Sequence, residues 1–147
     1  MNTQEQIRNA AQLTFKNHLS FLASGRIEEW VDLFKEDGIL EFPYGPKDFP
    51  KLVSGKSELF EYMRNFPKHF KVDFHNLHFH ATEDPALVIA EFTSDGYAIA
   101  TGKPYIQKYI SVVTTDEAGK IIRYVDFWNP LVALEAIEAP LSDFVKE

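Results

Sequence analysis

Cysteine is missing from this sequence altogether, which excludes disulfides, thiol nucleophiles and cysteine-ligated metals. The absence is compatible with a reducing compartment. Clustered basic residues are missing too. Fifteen Lys and Arg stand against 22 Asp and Glu, for a net charge of −7. That balance leaves no basic face to neutralise phosphates, so nucleic acid is not an expected partner. No stretch approaches the roughly 20 apolar residues needed to cross a bilayer. The opening Met1-Asn2-Thr3-Gln4-Glu5-Gln6 has neither the basic start nor the apolar core of a signal peptide. A cytoplasmic protein with no membrane partner is expected. Repeats, low-complexity tracts and linkers are also lacking, so residues 1–147 read as a single domain.

Aromatic residues, by contrast, are plentiful: they make up 14% of the chain, with thirteen Phe. Bulky rings fill cores, and they also line cavities for apolar ligands.

The first third is helical in pattern. Thr3 and Gln6 have the spacing of a capping box. Ile7, Ala11, Phe15, His18 and Leu22 then recur at helical spacing up to Gly25. A second short helix is expected to bury Ile27, Trp30, Val31 and Phe34 and to break at Asp37-Gly38. Ile39-Leu40-Glu41-Phe42 reads as a short strand. A rigid loop rich in proline follows, and then a third helix carries Leu59, Phe60 and Met63 and stops before Pro67. The remainder is strand-like: Phe70 to Thr82, Ala86 to Ala100, Tyr105 to Thr115 and Lys120 to Trp128, separated by turns at Glu83-Asp84-Pro85, Thr101-Gly102-Lys103-Pro104 and Asp116-Glu117-Ala118-Gly119. Ser94-Asp95-Gly96 reads as a bulge within one long strand. Asn129-Pro130 has the form of an N-cap followed by proline at the first helical position. Helices followed by long consecutive strands give an α+β fold, an antiparallel sheet with helices on one face.

Several segments carry a family likeness. These are Gly25-Arg26-Ile27-Glu28-Glu29-Trp30, the run from Leu33 to Gly45, Ala81-Thr82-Glu83-Asp84-Pro85, Asp116 to Ile121, and Phe127-Trp128-Asn129-Pro130. Together with the order of elements they resemble the nuclear-transport-factor-2-like (NTF2-like) superfamily. Within it the likeness is to SnoaL-like polyketide cyclases, ketosteroid isomerases and, most of all, phenazine-biosynthesis A/B proteins. The resemblance implies a cone-like, strongly curved, mostly antiparallel sheet wrapped around three N-terminal helices, the cystatin-like α+β roll. It also implies a small apolar or aromatic ligand, no cofactor, and a homodimer formed through the open sheet face.

Carried over residue by residue, the resemblance also removes a function. The isomerases' catalytic aspartate falls at Phe42, with Glu41 one residue off and on the other face. Their oxyanion tyrosine falls at His18 and their oxyanion aspartate at Ser111, so steroid isomerisation by that mechanism is not expected. The acid–Phe–x–Asn segment of the phenazine-type proteins is matched by Asp126-Phe127-Trp128-Asn129, which puts Asp126 in the place of the acid/base.

Asp126 is therefore the leading catalytic candidate, because a carboxyl held on one strand face among Ile122, Tyr124 and Trp128 resists ionising. The competing reading is a buried structural acid. His18 is the second candidate, able to pair with Asp126 or donate to a substrate oxygen, or else a core histidine satisfied by a neighbour. Phe15, Trp30, Phe42, Tyr44, Tyr105, Gln107, Tyr109, Ser111, Tyr124 and Trp128 are the expected ligand contacts, with Phe49 beside Tyr44 over the cavity mouth. For the strand residues among them, simple packing is an equal alternative. His78 and His80 face one way and His75 the other, and with His69 they fix no third ligand, so no metal is expected. Glu58, Glu61, Glu135 and Glu138 read as a solvated helical face. The leading function is cofactor-free acid/base chemistry (isomerisation, cyclisation or condensation) on a cyclic or polyketide- or phenazine-like metabolite. The alternative is a non-catalytic binding or dimerisation module.

Overall fold

The computed structural model describes residues 2–137; Glu138, the last of the expected acidic set, lies outside them. Helix α1 (Gln4–Ser24) begins on the capping box: Thr3 Oγ1 accepts from the Gln6 amide, and Gln6 Oε1 accepts from the Thr3 amide. It ends at Gly25, whose φ of 73° suits glycine at a helix C-terminus. Its buried stripe is Ala11, Phe15, His18, Leu19 and Leu22.

Helix α2 (Ile27–Val31) is shorter than its sequence pattern suggests. Phe34 does not continue it but starts β1 (Phe34–Glu41). The Ile121 amide donates to Leu33 O at 2.8 Å, so pairing with a distant strand captures the chain before another helical turn forms. Asp37-Gly38 lies inside β1, where the register slips between Phe34 and Ile39. Next come β2 (Leu52–Ser54), α3 (Lys56–Met63) and a single turn, α4 (Phe66–His69). Three long strands and a short final one follow: β3 (Phe70–His80), β4 (Leu87–Ala98), β5 (Gln107–Thr115) and β6 (Ile121–Trp128). Helix α5 (Pro130–Ile137) starts as expected, with Asn129 Oδ1 accepting from the Leu131 amide.

The six strands form one mixed sheet in the order β2-β1-β6-β5-β4-β3, open at both ends. Only β1 and β6 run parallel. With α1 and α3 packed on the sheet, the cone-like α+β architecture is the one the sequence pattern implied.

Two details of β3 and β4 differ from expectation for one reason. β4 is a single long strand, but the bulge sits opposite it, in β3 between His75 and His78. Asn76 takes the extra position at φ 59°, a conformation asparagine tolerates, and its side chain donates to Thr93 Oγ1. Gly96 has a different task. A Cβ there would lie 1.9 Å from Lys71 O, so glycine permits the two backbones to close together. The bulge also moves His75 onto the face shared by His78 and His80, since they pair with Thr93, Glu91 and Ile89. Among the described residues no three potential metal ligands converge. His80 Nε2 instead meets Glu91 at 2.5 Å, and His75 lies 3.7 Å from Asp95.

The core is continuous between α1 and the inner sheet face. Phe15 lies at its centre, stacked on Tyr124 and edge-on to Phe79 and Phe92. A fully buried side chain of that size contributes about 2–3 kcal/mol of hydrophobic stabilisation. No described helix is long and apolar enough to cross a membrane.

Candidate functional site

The register of β5 and β6 decides which side chains share a wall. Tyr109 pairs with Trp128, Ser111 with Asp126, and Val113 with Tyr124. Alternation then puts all six on the inner face. β4 adds Phe92 beside Tyr109, with stacked rings 4.5 Å apart. Helices α3 and α4 stand off from this wall, and a cavity of about 550 Å³ lies between them. Its lining is mostly aromatic and includes His18, Phe42, Phe49, Tyr62, Phe66, His69, Phe74, Phe92, Tyr105, Tyr109, Tyr124, Asp126 and Trp128.

Asp126 is the acid on the inner wall. It is half-buried and borders the cavity. Burial pushes its pKa from 3.8 up to about 7, against the opposing pull of a hydrogen bond from Ser111. Ser111 Oγ lies 2.9 Å from Oδ1 of Asp126 and 2.8 Å from the Tyr124 hydroxyl. Tyr124 Oη is in turn 2.9 Å from His18 Nε2, and the Trp30 indole donates to His18 Nδ1 at 2.8 Å. Burial lowers the His18 pKa to about 3, so the imidazole is neutral at ordinary pH.

The phenols around Asp126 also resist ionising. Burial raises Tyr62 to about 12, and raises Tyr105, Tyr109 and Tyr124, with the Asp126 charge adding to each. They remain hydrogen-bond donors across the neutral range. Tyr109 bonds Ser94 at 3.0 Å. Tyr62 packs on Phe42, its hydroxyl without a hydrogen-bond partner among the described residues.

Of the residues expected at the site, His18, Phe42, Tyr105, Tyr109, Tyr124, Asp126 and Trp128 border the cavity. The other five stand elsewhere. Phe15 is behind Tyr124 and Trp30 behind His18, both in the core. Ser111 is fully buried between Tyr124 and Asp126. Gln107 is occupied by Asn129, accepting from its amide at 2.9 Å and donating to its carbonyl at 2.8 Å, which anchors the start of α5. Tyr44 is exposed and packs on Phe127, over a separate hollow bordered by Leu131 and Leu134, while its neighbour Phe49 does line the cavity. Tyr105 reaches the cavity from the segment before β5, its amide bonded to Gly96 O.

Sequence reading missed Tyr62, Phe66, His69, Phe74 and Phe92 as cavity residues. Tyr62 was accessible to it, since Leu59, Tyr62 and Met63 share one helical face at i, i+3 and i+4. The others depend on how far α4 stands from the sheet, which spacing does not encode.

Known proteins give this geometry a context. The model of the SnoaL-like domain matches residues 15–124. A PhzA/B-like protein of Pseudomonas aeruginosa, itself uncharacterised, is 44% identical over 119 residues, 81% of this chain and 84% of that one. The crystal structure of an isomerase candidate from Bacillus subtilis superposes with a TM-score of 0.88 at 36% identity, covering 95% of this chain and 98% of the other. A phenazine biosynthesis-related protein from Pseudomonas aeruginosa shares the fold, with a TM-score of 0.78 at 21% identity over 96% of this chain and 88% of its own. With the matched model spanning most of the chain and the cone-like sheet in place, this protein belongs to the SnoaL-like family of the NTF2-like fold.

Proposed function

We propose that the cavity binds a small, largely apolar cyclic or aromatic molecule and that Asp126 moves a proton on it without a cofactor. The observation that carries this reading is a carboxyl on the wall of an aromatic cavity of about 550 Å³, where burial pushes its pKa up to about 7. Near neutrality such a group both takes and gives a proton readily. In the simplest step the Asp126 carboxylate removes a proton from a carbon next to a ligand carbonyl. The electron pair moves onto the carbonyl oxygen, and the Tyr62 hydroxyl hydrogen-bonds that oxygen as charge develops. Return of the proton to a different carbon completes an isomerisation; alternatively the enolate carbon bonds a second carbonyl carbon of the same molecule, whose π pair moves onto its oxygen and takes the proton back from Asp126, giving a cyclisation. The descriptions of its relatives, an isomerase candidate and PhzA/B-like, support this class of chemistry.

The test uses β-tetralone, a neutral fused-ring ketone, in deuterated buffer. Proton NMR should show loss of the signals beside the carbonyl faster than buffer alone produces. Asp126→Asn should reduce that exchange by about 100-fold or more while binding, read from tryptophan fluorescence, persists. Binding without exchange in the native protein would favour a non-catalytic binding module. One observation favours that second reading: His18 and Ser111 are already engaged by protein partners. A second copy of the chain is proposed to cover the open sheet face, where Ile110 is 43% exposed beside Phe127. Light scattering should then report a dimer that Ile110→Lys dissociates.

A further inference from the structure

We infer that the buried chain Trp30–His18–Tyr124–Ser111–Asp126 runs in one direction only, so that Trp30 and His18 are positioning residues that hold Oδ1 of Asp126 as a permanent acceptor and leave Oδ2 as the oxygen that exchanges a proton. The naming of Oδ2 rests on the acid/base reading above; the direction of the chain does not.

The argument begins at the indole. A tryptophan N–H donates and accepts nothing, so Nδ1 of His18, 2.8 Å away, carries no proton. A neutral imidazole has one N–H, which must then be on Nε2, facing the Tyr124 hydroxyl at 2.9 Å. Tyr124 Oη accepts there, and its own proton goes to Ser111 Oγ at 2.8 Å. The serine proton is left for Oδ1 of Asp126 at 2.9 Å. Each hydroxyl has one proton, and each is used once. Trp30, His18, Tyr124 and Ser111 are all buried, and each is hydrogen-bonded to the next, so the direction fixed at the indole is passed along every link. A chain polarised from end to end strengthens its last bond, here the one that steadies the carboxylate.

The other titratable groups facing Asp126 stand outside the chain. Tyr62 faces it from α3, Tyr105 from the segment before β5, and Tyr109 from β5. Asp48 and His69 border the same cavity from the proline-rich loop and α4. None of them bonds His18, Ser111 or Tyr124. His18, which the sequence offers as a partner of Asp126 or a donor to substrate, here acts on Asp126 through two hydroxyls.

Nitrogen NMR of the native protein tests the direction. His18 should be neutral and protonated on Nε2 throughout about pH 5 to 8; an Nδ1–H tautomer or an imidazolium in that range would overturn the proposal. Carbon NMR of the Asp126 carboxyl tests the consequence. Ser111→Ala should raise its titration midpoint by about one unit, and Trp30→Phe or Tyr124→Phe by about half a unit. A purely structural role would lower stability without moving the midpoint, so an unchanged midpoint and tautomer in Trp30→Phe would also sink the idea. If Trp30→Phe does not fold, the native tautomer and Tyr124→Phe decide. Should the tautomer be as expected while Asp126→Asn still exchanges β-tetralone, the acid/base reading falls and the chain direction stands.

Discussion

His18 and Asp126 are connected through two intervening hydroxyls, those of Tyr124 and Ser111, and burial moves their pKa values in opposite senses, to about 3 and about 7. Each shift has a consequence for folding. Between pH 3.8 and about 7 the folded chain keeps a proton on Asp126 that the unfolded chain has lost. Stability contributed by this group is therefore whole below the lower value and falls as pH rises, by ~1.4 kcal/mol per unit, until it levels off above the upper one. His18 does the reverse: between about 3 and 6.5 the unfolded chain holds the extra proton, so stability rises with pH.

Asp126→Asn isolates the first slope. The amide still accepts from Ser111 and does not titrate. The variant should gain on the native protein steadily from about pH 4 to 7, by up to roughly 4 kcal/mol, with a constant difference on either side. Urea unfolding at half-unit steps measures it. A difference that does not change with pH would mean the carboxyl is not held protonated in the fold.

Phe15→Ala should cost about 3–5 kcal/mol. The ring packs on His18, Phe79, Phe92 and Tyr124, and its removal leaves a void behind the cavity wall. Phe15→Leu should cost less than half as much. Thermal melts and denaturant titrations distinguish these losses from a mere contact at the ligand surface, which would leave stability nearly unchanged.

Gly96→Ala should prevent or severely weaken pairing of β3 with β4, because the added carbon would lie 1.9 Å from Lys71 O. Gly102→Ala is the control. Nothing lies within 4 Å of a Cβ at Gly102, and only the strain of its φ of 73° remains, about 1 kcal/mol. Circular dichroism and soluble yield should separate the two variants plainly.

Tyr62→Phe should weaken binding of β-tetralone by about 5- to 20-fold, the loss of one hydrogen bond to a carbonyl. Binding of tetralin, which has the same rings without the oxygen, should be unaffected. Equal losses for both probes would show that Tyr62 contributes only shape.

Much of this molecule was legible in its sequence because local signals and fold agreed. The capping box at Thr3, the stop at Gly25, the turn at Asp116–Gly119 and the N-cap at Asn129 are short-range chemistry, and each is where its residues say. The acid–Phe–x–Asn segment singles out Asp126, and the structure places that residue on the cavity wall. What spacing could not supply was depth. Phe15 and Trp30 on their helices and Ser111 on its strand face inward as their spacing implies, but they lie behind the cavity lining. Gln107 has the correct orientation, yet it is satisfied by the Asn129 backbone. Phe34 followed the helical pattern of Trp30 and Val31 until a strand nearly ninety residues further on claimed it, a tertiary pairing overriding local preference.

That pairing also governs how the molecule is made. β6, the last strand among the described residues, sits between β1 and β5 near the middle of the sheet. During synthesis β1 must wait, its edge unpaired on that side, until residues beyond 120 have emerged. Contacts of such long sequence separation form slowly, and exposed strand edges invite association with other chains. A product terminated before β6 therefore loses more than Asp126. It leaves β2-β1 and β5-β4-β3 without the strand that hydrogen-bonds them into one sheet, so cells that express this protein have good reason to finish or degrade every copy they start.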